Sequence, residues 1–140
     1  MDGPRLLGIV AVVGAGLLTA GVRPAGAHHS FAAAYDTNKP VTVVGTIAEV
    51  RLENPHSWFF VDVAQPDGQT VRWAFEGSTP TSLIRSGYRP NSLKVGDKVT
   101  VKGVHARDTS KNAGAAREIV TADGRFFTVG PAGTESTPER

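Results

Sequence analysis

The residues best suited to chemistry are the four histidines, because cysteine is absent and imidazole is the commonest metal ligand in proteins. Two of them, His28 and His29, are adjacent and directly follow the small-residue triplet Ala25-Gly26-Ala27. If the chain is cut ahead of His28, that residue offers both a free amine and an imidazole to a metal ion. Copper(II) favours such nitrogen ligands. The sequence therefore predicts a copper site at His28, completed by His56 or by the neighbouring His29.

This combination of a terminal histidine and a second histidine resembles the histidine brace of copper monooxygenases and of some periplasmic copper proteins, in ligand chemistry and not in fold. A copper-dependent oxidative enzyme is therefore one alternative, which also requires an open coordination position and a substrate groove. A solvated terminus without metal is another. The remaining histidine, His105, has no predicted partner and is interpreted as structural.

No enzyme signature accompanies the histidines. The sequence has no Gly-x-Ser-x-Gly elbow, no His-Glu-x-x-His motif and no phosphate-binding glycine loop, and its carboxylates are scattered. The absence of cysteine also excludes disulfides, thiolate nucleophiles and cysteine-ligated zinc or iron–sulfur centres. The sequence thus favours a binding protein over an enzyme, and copper is the one cofactor that it suggests.

The first 27 residues have the order of parts expected of a secretory signal peptide. Arg5 precedes an uncharged apolar run at residues 6–22, and Ala25-Gly26-Ala27 supplies an A-x-A end. A membrane anchor is the alternative, but the run is shorter than the about 20 residues of a spanning helix and contains several glycines. The sequence therefore predicts cleavage after Ala27 and a protein located in the periplasm or outside the cell.

Charge gives little indication of a macromolecular partner. The full chain carries a formal net charge of +2, and loss of Asp2, Arg5 and Arg23 with the signal peptide lowers it to +1. This balance provides no electrostatic reason to expect binding to nucleic acid or to an anionic membrane. We expect a metal ion or a small ligand as the partner, and the sequence identifies no protein partner.

The mature chain has the pattern of short strands and one short helix. The predicted strands lie at residues 40–52, 56–64, 70–76 and 98–106, with a closing strand or hairpin at 118–129 and a helix at 78–87. Around these elements we predict an N-terminal segment at 28–39, a domain at 40–129, a mobile loop at 107–116 and a disordered tail at 130–140. This β-β-β-α-β-β order is typical of the OB-fold, a small five-stranded barrel. A β-sandwich is the structural alternative.

The second and third strands form a predicted hairpin with two distinct faces. Centring the hairpin on Gly68 sets Val61 opposite Phe75, Val63 opposite Trp73 and Phe60 opposite Glu76. Side-chain alternation then directs one apolar set into the barrel, namely Phe59, Val61, Val63, Val71, Trp73 and Phe75. The outer face receives His56, Trp58, Phe60, Arg72 and Glu76.

That outer face is the second candidate site, because OB-folds commonly bind ligands on these strands. Trp58, Phe60, Arg72 and Glu76 are predicted to bind a small organic ligand, a saccharide or a protein. The alternative is that residues 31–35 or a partner chain cover Trp58 and Phe60. Glu76 has two open roles, since it lies close enough to orient His56 and close enough to pair with Arg72.

Several separated motifs together resemble an exported bacterial family known as domain of unknown function 6152. They are His28-His29-Ser30-Phe31, Lys39-Pro40-Val41, Asn54-Pro55-His56, Trp73-Ala74-Phe75-Glu76-Gly77, Leu83-Ile84-Arg85 and Ser92-Leu93-Lys94-Val95-Gly96-Asp97. The resemblance spans nearly the whole mature chain. It implies export, a single domain and a start that bears histidines, but no biochemical activity.

Overall fold

Residues 31–130, which a computed structural model of the protein describes, form a mostly antiparallel β-sheet with one short helix. The strands are β1 (Tyr35–Arg51), β2 (Trp58–Ala64), β3 (Thr70–Glu76), β4 (Lys98–Ala106), β5 (Ala113–Thr121) and β6 (Phe126–Thr128), and helix α1 (Pro80–Arg85) lies between β3 and β4. Residues 31–34 are helical and lead directly into β1. The predicted β-rich class is confirmed. The predicted signal peptide, His28, His29 and the tail beyond Gly130 lie outside the described residues.

The strands follow the sheet order β3-β2-β1-β4-β5-β6. β1 is long enough to pair with β4 along most of its length and with β2 through its second half. β3 also pairs in parallel with β5, so that Glu76 lies opposite Ala115. The pairings therefore run from β1 through β2, β3, β5 and β4 back to β1, while β6 extends from β5.

The first strand starts earlier than predicted, at Tyr35 and not at residue 40. Its pairing with β4 begins at Tyr35 opposite Ala106 and shifts register between Asp36 and Pro40. A second irregularity lies between Ile47 and Glu49, beyond Gly45. Gly45 allows β2 to approach β1 closely, because a Cβ added at this position would lie only 2.4 Å from the Asp62 carbonyl oxygen.

The predicted mobile loop at 107–116 is partly wrong, because Ala113–Thr121 is strand β5. Small residues normally suggest a loop, but here they allow three strands to approach each other. An added Cβ at Gly114 would lie 2.6 Å from the Val104 carbonyl oxygen and 3.1 Å from the Phe75 ring. The loop between β4 and β5 is correspondingly shorter and covers residues 107–112.

The predicted hairpin register is wrong by two residues, whereas the predicted faces are correct. The turn is a three-residue loop at 66–68, closed by a 2.7 Å bond from the Gln65 amide to the Gln69 carbonyl, with Gly68 in the left-handed region at φ 83°. Its midpoint is Asp67, and not Gly68 as assumed. Val61 therefore faces Trp73, Phe59 faces Phe75, Phe60 faces Ala74, Val63 faces Val71 and Trp58 faces Glu76. A shift of two residues leaves every side chain on its predicted face.

The second strand begins at Trp58 and not at residue 56. Ahead of it the ladder becomes irregular, because the opposite chain turns toward α1 after Glu76. The Ser57 amide donates to the Ser78 carbonyl at 3.0 Å, and the Gly77 amide donates to the Ser57 carbonyl at 2.8 Å. His56 is thus fixed at the end of the hairpin although it lies outside the strand.

Helix α1 occurs within the predicted range. Thr79 is its N-cap and accepts a hydrogen bond from the Ser82 amide at 3.2 Å. Gly87, with φ 96°, ends the helix in the left-handed conformation, and the Tyr88 amide then reaches the Leu83 carbonyl at 2.9 Å. Leu83 and Tyr88 both contribute to the core.

The main core lies between the strands and α1. Its buried members are Val43, Ile47, Phe59, Val61, Phe75, Leu83, Tyr88, Leu93, Val99, Val101, Ala116, Ile119 and Val129. Of the predicted core side chains, Phe59, Val61 and Phe75 are fully buried, and Val63, Val71 and Trp73 are half-buried. A second, smaller cluster contains Tyr35, Val104, Ala106 and Ala115, with Phe31 and Ala113 packed against it.

Candidate functional site

The candidate site is a cluster of three side chains, His56, Glu76 and Tyr35, at one end of the hairpin. Glu76 is the last residue of β3, and its side chain is only 17% exposed. One carboxylate oxygen, Oε1, lies 2.7 Å from Nδ1 of His56. The other, Oε2, accepts a 2.5 Å hydrogen bond from the Tyr35 hydroxyl. The carboxylate is therefore held from two sides.

This contact selects between the two roles that the sequence left open for Glu76. Because a carboxylate only accepts hydrogen bonds, Nδ1 of His56 must carry the proton. In the neutral imidazole the free lone pair then lies on Nε2. The His56 side chain is 47% exposed, so this nitrogen belongs to a ring that solvent and solutes can reach. An accessible imidazole oriented by a carboxylate is the usual arrangement of a metal-binding histidine.

Tyr35 holds the other side of Glu76 from a buried position. It is the first residue of β1 and only 6% exposed, and it belongs to the cluster with Ala106 and Ala115. Burial and, next, the hydrogen bond to Glu76 raise the pKa of the Tyr35 phenol well above its usual range. The hydroxyl therefore remains protonated and able to donate.

The segment that precedes β1 is attached to the same cluster. The ring centroids of Phe31 and Tyr35 lie 5.0 Å apart. The Arg107 side chain donates from Nε to the Ala32 carbonyl, and its backbone amide donates to the Ala34 carbonyl at 2.9 Å. Residues 31–34 therefore pack beside the cluster that contains Tyr35, the residue that holds Glu76.

The outer face of β1, β2 and β3 contains two arginine–carboxylate pairs, one on the hairpin and one on β1. Arg72 binds Asp62, directly opposite on β2, with two bonds of 2.7 and 3.0 Å. The hydrogen bond from Arg72 holds the pKa of Asp62 below its usual range. Arg51 pairs with Glu49 at 2.6 Å. The alternative in which Arg72 pairs with Glu76 is therefore wrong.

Two half-buried aromatic residues, Trp58 and Phe60, lie between these pairs. Trp58 is directly opposite Glu76, and the Arg51 guanidinium lies 4.8 Å from the centre of the Phe60 ring. Phe31 packs against the smaller cluster around Tyr35. The four predicted ligand-binding residues therefore share one face, on which Trp58 and Glu76 adjoin His56.

His105 has partners that the sequence did not predict. Its Nδ1 lies 2.9 Å from the Ala106 carbonyl oxygen, and its ring is nearly perpendicular to that of Trp73, with 5.3 Å between the ring centroids. Sequence reasoning also missed Tyr35 as a part of the site and Arg107 as a partner of residues 31–34. Tyr35 lies within the predicted N-terminal segment at 28–39, without a local signal of its contact with Glu76, and no local signal points to Arg107.

His56 is the one predicted metal ligand within the described residues. Residues 31–130 contain no group of three or more histidine or acidic side chains arranged to hold a metal ion. Within this same part of the chain, no helix is long and apolar enough to cross a membrane.

The described fold and site define a class, namely a small β-sheet protein with a carboxylate-oriented histidine at one end of a hairpin. Residues 16–116 match a family described as a family of unknown function (DUF6152). The chain belongs to this family, as the motif resemblance indicated. No curated protein matches the chain, and no solved structure matches it.

Proposed function

We propose that the protein is exported and binds a transition metal, preferentially copper(II), through nitrogen atoms of His28, His29 and His56. The observation that carries this proposal is the 2.7 Å contact between Nδ1 of His56 and Glu76. It leaves Nε2 free for a metal and fixes the ring orientation, which metal sites require of their histidines.

Chain geometry supports participation of the N-terminal histidines. Phe31 packs on Tyr35, whose hydroxyl binds the same carboxylate as His56. His28 precedes Phe31 by three positions, and a fully extended chain spans at most about 11 Å over three residues. The amino group released by cleavage after Ala27 is thereby restricted to the neighbourhood of Phe31. The basic start, the apolar run and the A-x-A end support that cleavage.

We also propose that the sheet is a barrel of the OB type. The support is the series of pairings from β1 through β2, β3, β5 and β4 back to β1, with the helix between β3 and β4. In such a barrel the outer surface of β2 and β3 is a common ligand-binding face. The oriented histidine lies at the end of this face.

Copper(II) titration of the processed protein tests the metal site. Intact mass must first establish that His28 is the first residue. His28→Ala and His56→Ala should each weaken binding strongly, whereas His105→Gln, a matched histidine on β4, should not. A glycine added ahead of His28 should act like His28→Ala, because it separates the amine from the imidazole. Equal, weak binding by all forms would reject the site.

The oriented histidine also predicts an effect of Glu76, which does not touch the metal. Loss of an outer-shell carboxylate typically lowers metal affinity by about 10–100-fold. Glu76→Gln should therefore weaken copper binding, while Glu49→Gln on the same face should leave it unchanged. Because amine and imidazole must be deprotonated to bind, affinity should also fall as the pH is lowered.

A second candidate function is binding of a small organic ligand by the outer face. It is favoured by the cation–π contact in which the Arg51 guanidinium lies 4.8 Å from the centre of the Phe60 ring, with Trp58 directly opposite Arg51. This function predicts that Trp58→Ala abolishes ligand binding while copper binding persists. Loss of both activities in Trp58→Ala would argue against two separate sites.

A further inference from the structure

We infer that Tyr35 is a positioning residue, whose hydroxyl holds Glu76 in the arrangement that keeps the proton of His56 on Nδ1 and the lone pair on Nε2. The functional part of this inference rests on the proposed function, which gives Nε2 a metal to bind. The structural part concerns Tyr35, Glu76 and His56 alone. We assign Tyr35 no contact with a ligand, since it acts through the carboxylate.

Each oxygen of the Glu76 carboxylate has its own donor. Oε1 lies 2.7 Å from Nδ1 of His56, and Oε2 accepts the 2.5 Å hydrogen bond from the Tyr35 hydroxyl. With one hydrogen bond the carboxylate could still turn, because the last side-chain torsion of glutamate has broad minima. Two hydrogen bonds on different oxygens fix both its position and the oxygen that faces His56.

The hydroxyl can hold the carboxylate because Tyr35 is itself anchored in the sheet. Tyr35 lies opposite Ala106 at the start of β1 and is only 6% exposed. Glu76 lies opposite Ala115 on β5. Both alanines belong to the same apolar cluster as Tyr35, and their small side chains leave room for its ring. The position of the hydroxyl is therefore set by the packing of β1, β4 and β5.

A neutral donor suits this role better than a cation. Arg72, two positions before Glu76 on the same face of β3, is already bound by Asp62 through two hydrogen bonds. A guanidinium on Glu76 would compete with the imidazole for the carboxylate charge. The Tyr35 hydroxyl stays protonated, since burial raises the pKa of this phenol well above its usual range. It therefore fixes the carboxylate and leaves the negative charge available to His56.

This arrangement matters because an exposed imidazole does not favour the required tautomer by itself. In free neutral histidine the proton lies mainly on Nε2, and in a protein the hydrogen bonds of the ring select the tautomer. The His56 side chain is 47% exposed, so water competes with Glu76 for Nδ1. A carboxylate that is already held loses less conformational entropy when it accepts the Nδ1 proton. Tyr35 thereby favours the tautomer whose Nε2 can bind a metal.

The test measures the NMR chemical shifts of the two His56 imidazole nitrogens in the metal-free protein, at a pH where the imidazole is neutral. The wild type should show a protonated Nδ1 and an unprotonated Nε2. Tyr35→Phe removes the hydroxyl and keeps the ring, and it should shift both nitrogens toward the average of the two tautomers. Tyr88→Phe is the matched control, because it removes the hydroxyl of the other buried tyrosine, in the main core. It should leave both shifts unchanged.

Glu76→Asp provides a second variant that leaves the Tyr35 side chain in place. It keeps the negative charge but is one methylene shorter, so it cannot reach the hydroxyl and the imidazole together. Loss of the purely Nδ1-protonated form is again expected, and this variant decides the question if Tyr35→Phe does not fold. A His56 that stays fully protonated on Nδ1 in either folded variant would overturn the inference.

Copper(II) titration of the processed protein connects this arrangement to the proposed function. Loss of an outer-shell partner lowers metal affinity about 10–100-fold, so Tyr35→Phe, one hydrogen bond further from the metal, should lower it about three- to tenfold. Tyr88→Phe should not lower it. Unchanged affinity in Tyr35→Phe, with tight binding by the wild type, would overturn the inference and leave the proposed function intact. Failure of the wild type to bind copper would instead overturn the proposed function, while a changed tautomer in Tyr35→Phe would still support the positioning role.

Discussion

The two apolar clusters of the protein differ in side-chain size and in what they support. The main core contains large, fully buried residues such as Phe59, Ile47 and Tyr88. The smaller cluster beneath the N-terminal segment is built on alanines, chiefly Ala106 and Ala115. Small side chains leave space above the sheet, and the rings of Phe31 and Tyr35 occupy that space.

Because of this difference, the main core should determine the stability of the fold, and the smaller cluster should determine the geometry of the site. Free energy from apolar burial scales with the buried area, so the large residues of the main core should dominate the stability of the fold. The alanine-based cluster buries less area but sets where the Tyr35 hydroxyl meets Glu76. We therefore expect mutations in the two clusters to have different consequences, with large stability effects in the first and site effects in the second.

The largest stability effect is expected from Phe59→Ala. Phe59 is fully buried and contacts the edge of Tyr88 at 6.1 Å between ring centroids, so truncation leaves a cavity in the main core. Such changes cost about 3–5 kcal/mol. Urea denaturation of the wild type and the variant measures the difference. A loss below about 1 kcal/mol would contradict the assignment of the main core as the dominant source of stability.

Alkaline titration should distinguish the clusters, because each contains one of the two tyrosines of the chain. Burial raises the pKa of Tyr88 to about 12 and raises that of Tyr35 even further, with Glu76 adding to the effect. Each raised pKa favours the folded state below about pH 10, where free tyrosine is protonated, and this contribution is lost as the pH rises through the folded value.

We therefore expect no tyrosinate absorbance from the folded protein at about pH 10, where free tyrosine is half ionised. Tyr35→Phe identifies which residue produces the signal. If the Tyr35 signal appears while the rest of the protein is still folded, the smaller cluster opens independently of the main core. Ionisation of both residues at the pH of free tyrosine would contradict their burial.

A smaller stability effect is expected from Phe31→Ala. Phe31 is half-buried at the margin of the smaller cluster, so its truncation should cost about 1–2 kcal/mol. Copper affinity should nevertheless fall, because the segment ahead of β1 loses a contact with Tyr35. Phe126→Ala is the control, since Phe126 is 56% exposed on β6. Equal effects of both substitutions on copper affinity would contradict a positioning role for Phe31.

The smallest effect is expected from Arg72→Ala, which removes an exposed ion pair outside both clusters. Such pairs contribute little to stability near neutral pH. Because Arg72 lowers the pKa of Asp62, the pair stabilises the fold above the ordinary aspartate pKa of about 4, and this contribution is lost as the pH falls further. Urea denaturation of both proteins across this range should show their difference disappearing in acid. If the difference in unfolding free energy between the two proteins instead grew as the pH fell, the prediction would be contradicted.

Local patterns predicted much of the hairpin and helix. Successive side chains of a strand point to opposite faces of the sheet. This alternation is sufficient to assign Phe59 and Phe75 to the core face and Trp58 and Glu76 to the outer face. The register was wrong because a three-residue loop has its midpoint at Asp67, whereas Gly68 is only the residue that adopts the left-handed conformation.

The parts that the sequence could not reveal depend on contacts between distant segments. The small residues Ala113 and Gly114 at the start of β5 predict a loop, whereas in the structure Gly114 allows β4 and β3 to approach β5 closely. The contact of Glu76 with His56 was one of two open alternatives. Its second contact, with Tyr35, spans 41 residues and has no local signature.

The most direct test of the central claim is pulsed electron paramagnetic resonance of the copper(II)-loaded, processed protein. The spectrum reports nitrogen atoms of imidazoles bound to copper, and the account predicts that His56→Ala removes the signal of one coordinated imidazole while His105→Gln removes none. An unchanged spectrum in His56→Ala would contradict the claim that the imidazole held by Glu76 is a metal ligand.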